Sequence, residues 1–173
     1  MTSAFEAKPD RRGTPEMARR IDYHDDPAAP EPNSVVPAAV ALVAREDGAV
    51  LLIRRTDNGN WALPGGGIEM DESIADAAIR ETLEETGIQV EVTGLLGVYS
   101  DPGHVIHFTS NDEVRREFSV VLTARPVDGE PTTSSESSEV RWVAPADLAG
   151  YTMGPAMRRR VDDYLRGGAP VVA

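Results

Sequence analysis

At 173 residues, 40% hydrophobic and 27% charged, the chain has the size and composition of one soluble domain with its own core. A formal net charge of −12 argues against binding duplex nucleic acid or an anionic membrane through the general field, and no apolar run reaches membrane-spanning length. Without cysteine there is no disulfide framework or thiolate chemistry, and the N-terminal stretch lacks the apolar segment of a secretory signal, so the expected compartment is cytoplasmic.

Residues 1–33 are rich in Pro, Ala, Asp and Arg and show little periodicity, which predicts an extended or mobile arm, with 1–16 mobile. Within it Ile21 and Tyr23 could dock on the body or on a second copy, and a homodimer exchanging this arm would account for it. The domain proper is expected over 34–167, and 168–173 reads as a loose tail. Residues 34–44 form a strand-like run, Asp47-Gly48 is a hairpin signal, and 49–55 return as A-V-L-L-I-R-R, predicting a β-hairpin with one buried strand. A second turn at 56–60 delivers Trp61-Ala62-Leu63-Pro64 to three consecutive glycines, with Trp61 packing beneath them. Of the paired Arg54 and Arg55, one could meet a substrate phosphate by a bidentate contact; the alternative is a surface arginine paired with nearby acids.

The stretch 65–88 organises the rest. Gly65, Gly66 and Gly67 let the backbone come close to a ligand or ion. Ser73 with Asp76 three residues on is a capping-box start, 74–86 contain no Gly or Pro, and Gly87 stands where a helix wants a left-handed residue. At 100° per residue Ala75, Ile79, Thr82, Leu83 and Thr86 share a stripe expected to face a core. Glu81, Glu84 and Glu85 gather on another side, beside the small Ala77 and Ala78. Such close carboxylates repel one another, and that repulsion is relieved by solvent or by a hard cation of the Mg²⁺ or Mn²⁺ kind, with a carbonyl of Gly65 or Gly66 as an added oxygen. The plainer alternative is a solvated acidic face.

Beyond the helix, 89–99 read as a strand bent near Gly94 or Gly97, and 100–113 as a polar loop. His104 and His107 in that loop are candidates for base stacking or phosphate contact, or else ordinary strand-end residues. Residues 117–126 alternate as a strand, 127–138 are turn-rich, 139–143 form a last strand, and 154–165 a helix with Pro155 near its start and a Met157, Val161, Leu165 stripe.

Gly66, five residues, Glu72, seven residues, and then R-E-T-L-E-E-T-G-I from Arg80 to Ile88 together resemble the Nudix box, and the W-x-L-P-G-G lead-in at Trp61 is similar to that of Nudix proteins. Thr82 departs from the aliphatic residue of that pattern, its methyl partly substituting. The resemblance implies an α+β Nudix fold, a mixed sheet sandwiched between helices. It implies metal-dependent hydrolysis of a nucleoside diphosphate linked to another moiety, whether ADP-ribose-like, a nucleotide sugar or a nucleoside triphosphate. Glu81, Glu84 and Glu85 would hold Mg²⁺ or Mn²⁺ with the Gly65 carbonyl, and Glu69 could add a ligand. Arg80 would orient the carboxylates and Glu72 tie the loop to the helix. Glu84 or Glu136 could accept the proton of the attacking water, and Glu136 is preferred over Glu139 for the additional glutamate that such proteins place near the metals. The resemblance also leaves a nucleotide-sensing module without catalysis as a rival; an isopentenyl diphosphate isomerase would need the cysteine that this chain lacks.

Overall fold

The computed structural model describes residues 20–173. The expected mobility of 1–16 lies outside the described residues. The elements are β1 (Arg20–His24), β2 (Ser34–Val35), β3 (Ala38–Val43), β4 (Val50–Arg55), β5 (Trp61–Ala62), β6 (Gly65–Gly67), α1 (Ile74–Thr86), β7 (Gln89–Tyr99), β8 (His104–Phe108), β9 (Glu113–Arg116), β10 (Ser119–Asp128), β11 (Ser137–Val143), a 3₁₀ turn at Pro145–Gly150, α2 (Pro155–Arg166) and β12 (Val171–Val172).

The central sheet runs β12-β7-β10-β3-β6 and is mixed, since β10 is parallel to β3 and antiparallel to β7. A smaller sheet runs β11-β4-β5, and a third runs β1-β8-β9-β2. Both faces of β3 are covered. Ala39, Ala41 and Val43 pack with Ala77 and Ala78 of α1, while Val40 and Leu42 pack with Leu148 and Val161 on the opposite side. The expected mixed sheet between helices is what forms, as a run of buried residues without alternation requires.

Four local expectations need correction. The segments 34–44 and 49–55 do not make one hairpin ladder. The Arg45–Ala49 turn closes, but β3 and β4 join different sheets and meet through a single bridge between Ala44 and Val50. The reason is that each strand has better partners: β3 takes β10 and β6, and β4 takes β11 and β5. The expected loop at 100–113 holds β8, which pairs with β9 and with β1 of the arm in register His24↔His104 through Arg20↔Phe108. The tail is not loose. Val171–Val172 adds a parallel strand to β7, and a Cβ at Gly97 would lie 2.6 Å from the Val171 carbonyl oxygen. Finally, the apolar stripe of α2 is Met157, Val161 and Tyr164, with Leu165 exposed. The bends foreseen in β7 are there, as register shifts that skip Leu96 and Thr93.

Candidate active site

Helix α1 begins and ends where its sequence dictates. Ser73 and Asp76 form a reciprocal capping box, and Gly87 closes the helix at φ 73° with its N–H on the Leu83 carbonyl. Its buried face is rotated from the expected stripe. Ala77, Ala78, Thr82 and Thr86 are fully buried, Leu83 is 43% exposed, and Glu85 is only 4% exposed. The two alanines let the helix lie close to the sheet, so they serve the core and not the space beside the carboxylates. Thr82 keeps its hydroxyl satisfied there by donating to the Ala78 carbonyl at 2.7 Å.

The glycine run of β6 is fixed by close approach. A Cβ on Gly65 would lie 2.5 Å from the Ala39 carbonyl, and one on Gly66 would lie 2.5 Å from Glu81 Oε1. Glu85 Oε2 accepts the Gly65 N–H at 2.9 Å. Arg80 is the hub on the outer side: Nε and NH2 grip Glu72 at 2.9 and 2.7 Å, and NH1 reaches Glu81 at 2.9 Å and Glu84 at 3.2 Å. NH2 also donates to the Gly67 carbonyl, and the Glu69 N–H donates to Glu72 at 2.8 Å. Arg80 thus spans loop and helix. Glu69 itself is exposed, and its carbonyl also accepts the Glu72 N–H at 3.4 Å.

Electrostatics mark Glu81 and Glu85 as strained. Burial raises the Glu85 carboxyl to about 7; the Gly65 N–H opposes the rise, the neighbouring Glu81 and Glu136 add to it, and Arg55 opposes it. Burial also raises Glu81, against the pull of Arg80 and with the push of Glu84 and Glu136. Glu72, by contrast, is held at about 2 by its hydrogen bonds from Arg80 and the Glu69 N–H. Glu136 acts on both Glu81 and Glu85; its loop is fastened to α1 by the Ser137 hydroxyl on the Glu85 carbonyl and the Thr132 N–H on the Thr86 carbonyl, and to the turn after β4 by the Thr56 N–H on the Glu136 carbonyl. Glu139 is instead engaged by Arg54 and Arg141.

Beside this cluster lies a cavity of about 610 Å³, whose wall includes Gly65–Gly67. Arg55, Trp61 and the first turn of α2 line it with β1, β8 and β9. Its charged lining comprises Arg20, Arg55, Arg115, Arg116 and Arg160 against Asp22, Asp57 and Glu117, five cations to three anions in a chain of net charge −12. Arg55 lies on this wall, bidentate to Asp57 and felt by Glu85. Arg54 does not; it faces Glu139 and the Gly59 carbonyl away from the cavity. His104 borders the cavity but is 5% exposed, with Asp22 Oδ1 3.0 Å from Nε2 and Glu117 Oε2 3.1 Å from Nδ1 without hydrogen-bond alignment, so carboxylates flank both ring nitrogens and the side chain holds β1 to β8. Burial lowers its pKa, but the two carboxylates outweigh that and leave it raised. His107 faces Asp112 at 3.9 Å. Asp22, His24 and His104 bring ligating atoms within 4.8 Å of one another. Arg20 already grips both oxygens of Asp22, however, and the two imidazoles are stacked 4.3 Å apart, so the group reads as a polar lock.

The wall residues Arg20, Arg115, Arg116 and Arg160 escaped sequence reasoning. Arg115 and Arg116 stand in E-V-R-R, a weak strand signal, while Arg20 and Arg160 reach the same wall from β1 and α2 through contacts far apart in the chain.

A family model described as the NUDIX domain matches residues 35–164. Among curated relatives, a MutT-like protein of Streptomyces ambofaciens is 40% identical over 78% of this chain and 80% of its own length. An ADP-ribose pyrophosphatase of Methanocaldococcus jannaschii is 46% identical over 74% and 72%, and a putative 8-oxo-dGTP diphosphatase of Bacillus subtilis 32% identical over 77% and 82%. Among solved structures, a NUDIX hydrolase from Nitrosomonas europaea superposes with TM-score 0.65 at 24% identity, covering 82% of this chain and 79% of that one. A MutT protein from Methanosarcina mazei gives TM-score 0.60 at 28% identity over 79% and 95%.

Proposed function

The chain belongs to the Nudix hydrolase family, and from that premise we propose that it cleaves a phosphoanhydride bond in a nucleoside diphosphate linked to another moiety, with a divalent cation. The observation that carries this is the junction at Gly65–Gly67, where an acidic cluster meets an arginine-lined cavity. A nucleotide needs positive charge for its phosphates, which the arginines and a cation on the acidic cluster would supply, and an apolar, aromatic wall for its base, which Trp61 and Phe108 offer.

The donor set fits a hard cation. Glu85 is buried with a single backbone donor and two carboxylates against it, a state that a bound cation would relieve. Glu81, Glu84 and Glu85 would hold Mg²⁺ or Mn²⁺, with the Gly65 carbonyl and Glu69 as further oxygens. Such an ion supplies positive charge against the diphosphate and makes water more acidic. The chain does the rest. Arg80 keeps the carboxylates from splaying. Arg55 faces the substrate phosphates from the cavity side. Glu136, or Glu84, takes the proton from water as its oxygen attacks phosphorus; the anhydride P–O bond breaks and the electrons leave with the departing phosphate.

Similarity to proteins named for ADP-ribose and for 8-oxo-dGTP supports a nucleoside diphosphate derivative without choosing among them; we favour an ADP-ribose-like substrate. The test is product release from ADP-ribose, nucleotide sugars and canonical or oxidised nucleoside triphosphates, with Mg²⁺ and with Mn²⁺, using Glu85→Gln as the blank. Cleavage of one class, lost in the variant, is the expected result. A folded protein that binds metal and nucleotide yet cleaves none of these would be a sensing module.

A further inference from the structure

Helix α2 starts on the cavity wall, and its first turn is built without a cap. Gly154 is the N-cap and offers no side chain, and Pro155 follows it. The N–H groups of an opening turn have no partner inside the helix, and together with the helix dipole they favour an anion. Gly154, Pro155, Ala156 and Met157 all line the cavity.

A second feature points to the same place. Arg160 stands one turn beyond Ala156, and helical side chains lean back over the preceding turn. It lines the cavity, is 5% exposed, and its Nε, like His104 Nδ1 across the same Glu117, is buried without a hydrogen-bond partner among the described residues. Its NH2 is taken by Glu117, whose other oxygen faces His104. That carboxylate is therefore shared between two basic groups, and one donor edge of a buried guanidinium is left over. A buried unpaired donor is costly and is seldom kept without a ligand or water.

We propose that the first turn of α2 and Arg160 form an anion subsite that takes a phosphate group, distinct from the phosphoanhydride held at the acidic helix. If the hydrolase reading holds, this phosphate is a second one carried by the substrate, remote from the bond that breaks; a free orthophosphate would satisfy the same donors.

The informative variant is Gly154→Asp. Gly154 has an ordinary φ of −64°, and an added Cβ meets no atom within 4 Å. An aspartate there would cap the helix from within, which stabilises the fold while filling the subsite. Arg160→Gln removes the other half. The full chain, free of divalent cations under a chelator, is titrated by calorimetry with orthophosphate, and separately with AMP and adenosine 3′,5′-bisphosphate. Wild type should bind orthophosphate, and both variants should lose about tenfold or more in affinity, Gly154→Asp without a lower melting temperature. Preference for the bisphosphate over AMP, lost in both variants, assigns the subsite to a substrate phosphate. Orthophosphate binding without that preference assigns it to the free anion. No orthophosphate binding by wild type, or equal binding by Gly154→Asp, overturns the proposal. Because the titration reads binding without metal, it stands or falls apart from any failure to find turnover.

Discussion

Glu85 carries the sharpest prediction at the scale of one residue. Its carboxyl ionises at about 7 in the folded, metal-free protein against 4.5 when free, so the fold prefers it protonated. The folded state then holds more protons than the unfolded one between these values, and stability must fall as pH rises through that window. The full difference is about 3 kcal/mol, from the pKa gap alone. His104 acts in the same direction: its raised pKa gives stability that is whole below 6.5 and fades above it. Denaturant titrations at pH 5 and 8 without metal should show the loss, Glu85→Gln should flatten much of it, and Mn²⁺ should restore stability at pH 8. A wild-type slope in Glu85→Gln would mean that burial does not govern this group. The three helix carboxylates were legible as a group from their spacing, and so was an arginine before the glycines, though not that Arg55 rather than Arg54 lines the cavity. That Glu85 rather than Leu83 would be buried was not, because the wheel says which residues share a side but not which side the Gly65 N–H meets.

At the scale of elements, the loop that carries Glu136 is held by its fastening to α1. Ser137 is fully buried, and its hydroxyl on the Glu85 carbonyl ties β11 to the end of the helix. Ser137→Ala should cost about 1–3 kcal/mol through the unpaired carbonyl, and it should lower kcat more than it changes KM, since Glu136 loses its register over the acidic cluster. Unchanged kcat would detach Glu136 from the chemistry. Gly66→Ala makes the converse case. Its Cβ would meet the Glu81 carboxylate at 2.5 Å, so turnover and metal affinity should drop while the melting temperature, dominated by the core, moves little. The helix itself could be bounded from sequence because caps are local signals. The separation of β3 from β4 could not, since Asp47-Gly48 announces a turn but says nothing about competing partners for each strand.

For the whole molecule, the closing strand is a small but definite contributor. Deleting 169–173 uncovers the edge of β7 and the bare Gly97; a loss of about 1–2 kcal/mol would lower the melting temperature by roughly 2–8 °C, which calorimetry would read. The sheet order was not legible at all, because β1, β8, β10 and β12 are joined by pairings far apart in the chain. The cation-lined cavity in an acidic body has a kinetic consequence. A polyanion approaching from bulk solvent first meets the repulsion of the net charge of −12, and only within a few ångströms of the mouth does it feel the arginines. Salt screens the distant field far more than the near one, with a Debye length of about 8 Å at physiological ionic strength. Capture of the substrate should therefore quicken as salt is added from very low concentration, the reverse of an enzyme that draws its ligand in by long-range attraction.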